Sequence, residues 1–248
     1  MGANIGNLQV WSKGKDIEET KKQVIESISE IMDKQGLVLC TEEGAEGEDI
    51  VLATTEGKPW VGVYMQETDF GQLERLEELG RLLTKKFQTL AYTAMVYDSD
   101  ILILQLFENG ECIDQYNNCP DYWGEPVTPE MEEALKGNPD KWGRLLKEEY
   151  GEEDIYKAFN EGKVKSEETY LLLASMLDEI HGADHEDKMA ELPKMENILN
   201  REKYIFAEHR LEELAKLFDI GAEQSVMGYG DAMDAEECRV ELLVYCER

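Results

Sequence analysis

Twice within residues 1–118 the spacing of apolar side chains changes from every second position to every third or fourth, and back again. Alternation at period two is the mark of a half-buried strand, and a period near 3.6 is that of an amphipathic helix, so this stretch must fold as strands interleaved with helices. Residues 5–12 (IGNLQVWS) read as a strand. Asp16 then offers a carboxylate to cap a helix whose apolar positions are Ile17, Val24, Ile25, Ile28, Ile31 and Met32, and Gly36 ends it. LVLCT (37–41) is a strand, and 49-DIVLATTEGKPWVGVYMQ-66 is a hairpin turning at Glu56-Gly57-Lys58. A second helix starts near Gly71, with Leu73, Leu76, Leu79, Leu83 and Phe87 on one face. It leads into 89-TLAYTAMVYDSDILILQLFENGECIDQYN-117, two apolar runs pivoting on Asp98-Ser99-Asp100 and a further hairpin at Glu108-Asn109-Gly110.

The order helix, strand, hairpin therefore occurs twice. Aligning 49-DIVLATTEGK-58 with 100-DILILQLFENG-110 suggests a duplicated α-β-hairpin unit. Two such units build an α+β fold, a largely antiparallel sheet with both helices on one face.

From residue 119 the texture changes. CPDYWGEPVTPEM is a loop rich in Pro, Gly and aromatics, expected to pack Tyr122 and Trp123 against the sheet. Helices are expected at Thr128-Pro129-Glu130, at Pro139, around Ile155 and Phe159, from Ser166 with a stripe of Tyr170, Leu173, Ala174, Leu177 and Ile180, and over 204–220. The final 236-EECRVELLVYCE-247 is a strand with Val240, Leu242 and Val244 on one face, expected at an edge of the sheet. The chain thus divides into a sheet region (1–118), a helical subdomain (119–222) and a terminal strand returning to the sheet (223–248).

The segments 59-PWVGVY-64, 96-VYDSDILILQLFENGECIDQYNNCPDYW-123 and 206-FAEHRLEELAKLFDI-220 resemble those of a group of bacterial proteins of uncharacterised function. That group carries DSD between two apolar strands, then G-x-x-x-D-x-(Y/F)-N, and later a helix of the form FAED-x-L-x-x-LA-x-LLGI. The resemblance touches most of the chain and implies a shared fold. No activity and no functional residue comes with it.

Charge separates the partner classes. Against 25 Lys and Arg stand 55 Asp and Glu, a net charge of −30 over 248 residues. Such a surface repels a phosphate backbone and an anionic membrane alike, so neither nucleic acid nor membrane is an expected partner. A basic protein is, because the same field steers its approach. The plainer alternative is that acidity only confers solubility. No run of 18 apolar residues and no signal-peptide pattern occur, so a cytoplasmic protein is expected. The five cysteines, odd in number and without a CxxC pair, are expected to be reduced thiols.

Motifs for chemistry are sparse. Asp98 and Asp100 could act as a carboxylate pair, although Asp and Ser favour tight turns for their own reasons, through side-chain bonds to nearby backbone. His181 and His185 stand four apart, the spacing that presents two imidazoles on one helical face to a metal, but Gly182 and polar neighbours suit a solvated loop. HExxH, GxSxG, a calcium loop and a P-loop are all absent, and no cofactor is expected. The acidic loop with Glu42, Glu43, Glu46, Glu48 and Asp49, and the aromatics Trp60, Tyr122 and Trp123, are candidate binding residues, although core packing is the commoner role of buried aromatics. The reading that follows is a protein-binding module of the immunity or inhibitor kind, directed at a basic protein. The alternatives are a metal-dependent or carboxylate-using enzyme, and a small-ligand-binding or structural protein.

Overall fold

The computed structural model of the chain describes residues 2–40, 46–124, 126–161 and 206–248. The helix expected from Ser166, the candidate ligands His181 and His185, and Glu42 and Glu43 lie outside them.

The alternation of periods produces β1 (Ile5–Trp11), α1 (Ile17–Lys34), β2 (Leu37–Leu39), β3 (Glu48–Thr55), β4 (Trp60–Met65), α2 (Glu74–Phe87), β5 (Leu90–Tyr97), β6 (Ile101–Glu108) and β7 (Glu111–Asn117). Helix α1 begins where the Asp16 carboxylate accepts the backbone N–H groups of Glu18 and Glu19, at 2.8 and 3.3 Å, satisfying donors that a helix end would leave free. It stops at Gly36, whose φ of +82° is a left-handed conformation that a residue with a Cβ adopts only at a cost. After residue 119 come the short helices α3 (Pro129–Ala134), α4 (Pro139–Trp142) and α5 (Glu152–Tyr156). Then follow α6 (Ala207–Phe218), α7 (Ala222–Val226), α8 (Tyr229–Ala232) and the terminal β8 (Cys238–Glu247).

The strands form one eight-stranded antiparallel sheet in the order β2-β8-β3-β4-β1-β5-β6-β7. The second unit keeps its strands adjacent, with Thr93 opposite Gln105 and Gln105 opposite Gln115. In the first unit, β8 separates β2 from β3, pairing Tyr245 with Leu39 and Leu242 with Val51. The expectation of an edge position for the terminal strand is corrected here: β8 is interior. Cys40 and Cys246 join across this pair as a disulfide with a Cα separation of 5.9 Å, which corrects the reading of every cysteine as a reduced thiol. Cys112, Cys119 and Cys238 are not disulfide-bonded.

Both faces of the sheet are covered. On one, Val24, Ile28 and Met32 of α1 and Leu76, Leu79 and Leu83 of α2 pack on Leu8, Val10, Val61, Val63 and Leu243. Each such side chain contributes roughly 1.5–3 kcal/mol by leaving water. Helix α2 comes close because its sheet-facing residue is Gly80, where an added Cβ would lie 3.0 Å from the Phe107 ring. The other face carries Tyr92, Leu104 and Leu106 under Trp142, Phe159, Leu211, Leu214 and Phe218. There the Trp142 indole donates to Asp114 of β7 at 2.7 Å, fixing α4 to the sheet edge.

Beneath α7 the sheet is polar. Asn7 Nδ2 donates to the carbonyls of Ser225 and Met227, and Gln224 Nε2 donates to Gln9 Oε1 at 2.9 Å. Thr55 donates through its backbone N–H and its hydroxyl to Gln224 Oε1, and the Tyr64 hydroxyl donates to the Gln224 carbonyl. Asn7, Gln9 and Gln224 are fully buried. Their mutual satisfaction offsets a desolvation cost that would otherwise oppose folding.

Candidate functional site

The pivot at residues 98–100 is a turn, built by its own backbone requirements. Asp98 and Ser99 both take left-handed φ values, +51° and +60°, the pair of conformations that a type I′ hairpin turn needs, and the Asp100 N–H returns to the Tyr97 carbonyl at 3.1 Å. Asp and Ser tolerate that region because their side chains can bond nearby backbone. Here the side chains bind the N-terminal segment, 96 positions away, Asp98 accepting the Gly2 N–H at 2.9 Å and Ser99 Oγ accepting the Ala3 N–H at 2.7 Å. Asn118 completes the frame, donating to the Asp100 carbonyl at 2.9 Å and accepting from the Leu102 N–H at 2.6 Å. Ser99 is buried, whereas Asp98 and Asp100 are exposed.

Beside this turn three aromatic rings meet at the surface. Tyr97 ends β5, and Tyr122 and Trp123 belong to the loop that follows β7. Ring centroids lie 6.3 Å apart for Tyr97–Tyr122, 6.1 Å for Tyr97–Trp123 and 5.5 Å for Tyr122–Trp123, with tilted or edge-on planes. This is the arrangement that aromatic quadrupoles favour. The rings are nonetheless open to water, Trp123 at 55% of its full exposure. Partial desolvation, followed by the nearby Asp100 and Asp98 carboxylates, raises the pKa of the Tyr122 phenol. Asp121, the residue before Tyr122 in the chain, is exposed as well, and its carboxylate accepts from the Cys119 thiol at 3.6 Å. Next to the rings an open depression is lined by Asn118, Cys119, Asp121, Gly124, Pro126 and Glu132.

The other candidates are placed elsewhere. Trp60 is fully buried, its indole donating to the Phe218 carbonyl at 2.8 Å and its ring stacked on Trp11, so it is part of the core and presents no face to a ligand. Glu48 forms an ion pair with Arg75, which also reaches Glu67 at 3.2 Å. Asp49 accepts from the Tyr229 hydroxyl at 3.4 Å. Glu46 is exposed. Among the described residues no three His, Cys, Asp or Glu side chains converge as a metal site.

Of the sequence candidates, the structure brings together Asp98, Asp100, Tyr122 and Trp123. Tyr97 and Asp121 complete the group and were not singled out from the sequence. The available signal was positional: Tyr97 is the last strand residue before an obligatory turn, and Asp121 sits in the loop that carries the other two rings.

No family model, curated protein or solved structure matches the chain. The fold is an α+β protein with an eight-stranded antiparallel sheet, and no described helix is long and apolar enough to cross a membrane.

Proposed function

We propose that the protein is a binding module for a basic protein partner, acting in the manner of an immunity or inhibitor protein that neutralises a cationic toxin or nuclease. The observation that carries this reading is the asymmetry in how the charges are used. Lys21, Lys58, Arg75, Lys86, Arg144 and Lys147 are tied to the protein's own acids. Asp98, Asp100 and Asp121 are exposed, and among the described residues no Lys or Arg forms an ion pair with them. With these six cations engaged by the protein's own acids, a chain of net charge −30 projects an acidic field outward. Such a field accelerates encounter with a basic surface and repels acidic competitors.

The test is capture from a lysate of the source organism on immobilised protein at low salt, elution with a salt gradient, and reconstitution of the complex from purified components. The reading expects one basic protein that re-forms a stoichiometric complex. Retention of many unrelated basic proteins with equal strength would count against a dedicated partner.

A further inference from the structure

Solvent-exposed aromatic rings cost free energy unless something covers them, and three that touch one another form a preorganised face. What surrounds the Tyr97–Tyr122–Trp123 face limits what can cover it. An acidic macromolecule is repelled by Asp98, Asp100 and Asp121, and a second copy of this chain brings its own −30 charge. A purely apolar segment would force carboxylates at the rim to shed water without compensation. A guanidinium or ammonium group on a flexible apolar stem fits each part of the surface: the stem lies on the rings, the cation meets their negative faces, and its N–H groups reach the flanking carboxylates. Arginine suits it best, because its planar group stacks on a ring while keeping donors free at its edge.

Resting on the partner reading above, we propose that the Tyr97–Tyr122–Trp123 corner is the anchor for an arginine or lysine side chain of the basic partner. The Asp98, Asp100 and Asp121 carboxylates ring that side chain, and the partner's adjoining backbone lies in the depression between Asp121 and Glu132. The corner is preformed. Its turn is framed by Asn118 and the N-terminal residues, and its rings already rest on one another. Little ordering entropy is then lost on binding.

The full-length chain, labelled with nitrogen-15, is titrated at low salt with acetyl-Gly-Arg-Gly-Arg-Gly-amide and, separately, with the same peptide carrying citrulline for arginine. The indole N–H signals are followed, with that of Trp123 assigned from a Trp123→Phe variant. A saturable shift of the Trp123 indole with the arginine peptide alone, and none at the buried Trp60 and Trp142, is the expected result. Trp123→Ala should then weaken binding about two- to fivefold. Joint replacement of Asp98, Asp100 and Asp121 by Asn should weaken it by about tenfold at low salt. Shifts spread over other acidic regions with the Trp123 indole unmoved would overturn the anchor and leave the acidic-partner reading standing. Equal shifts with the citrulline peptide would overturn the cation's role. Concentration-dependent shifts without peptide would assign the face to a second copy instead. No shift anywhere at low salt would overturn both the anchor and the reading beneath it.

Discussion

Ser99 Oγ donates to Glu208 Oε1 at 2.9 Å, and the Ala207 N–H donates to the Ser99 carbonyl at 2.7 Å, so the β5–β6 turn is bound to the first turn of α6 across 109 positions of chain. The same hydroxyl accepts the Ala3 N–H. One small polar side chain thus joins its own turn to two remote segments and fixes the positions of the carboxylates on either side of it. Ser99→Ala removes both side-chain bonds at a buried site and is expected to lower unfolding free energy by about 1–2 kcal/mol in urea titration. An unchanged midpoint would show that the frame does not depend on this hydroxyl.

The tryptophans separate core from surface. Trp60→Ala deletes a fully buried ring and a hydrogen bond and is expected to cost about 3–5 kcal/mol. Trp123→Ala removes an exposed ring and is expected to change stability by no more than about 0.5 kcal/mol. Comparable losses from the two substitutions would contradict their assignment to different layers.

The cysteines give a stoichiometric prediction. In denatured, unreduced protein, a thiol reagent should label Cys112, Cys119 and Cys238, and reduction should expose Cys40 and Cys246 as well. Labelling of all five before reduction would contradict the β2–β8 link.

Asp219, at the end of α6, meets Lys58 at 2.6 Å and Lys147 at 3.1 Å. Burial acts to raise the pKa of its carboxyl, but the two ammonium groups together outweigh burial and hold it below the ordinary value. A carboxylate lowered in the folded state adds stability above its unfolded pKa and loses it as pH falls through the folded one. Asp219→Asn should therefore destabilise fully at pH 7, with the deficit shrinking below about pH 4 as the wild-type carboxyl protonates. A deficit that stays constant with pH would mean that the ion pairs contribute nothing.

Much of the fold was legible because its signals are local. The Asp16 cap, Gly36, and the hairpins at Gly57 and Gly110 are each specified within a few residues, and the duplicated order follows from counting them. The interior place of β8 was not legible. Its partners lie about two hundred positions earlier, and a strand's own alternation says which side chains share a face without saying which neighbours flank it. Asn7 and Gln9 present the same difficulty: alternating with Leu8 and Val10, they have the pattern of a half-exposed strand, yet the backbone of α7 buries them. The site was half legible. The acids and the Tyr122-Trp123 pair are evident in composition, but the separation of Trp60 from Trp123, one in the core and one on the surface, depends on a tertiary contact with Phe218.

The most direct test of the central claim is the affinity of the captured partner for the wild-type chain and for the Asp98→Asn, Asp100→Asn, Asp121→Asn triple variant, titrated calorimetrically at low and at moderate salt. The account predicts that wild-type affinity falls steeply as salt rises, and that the triple variant binds about tenfold more weakly at low salt with a flatter salt dependence. Wild-type affinity that is indifferent to salt, together with a triple variant that binds as tightly, would contradict it.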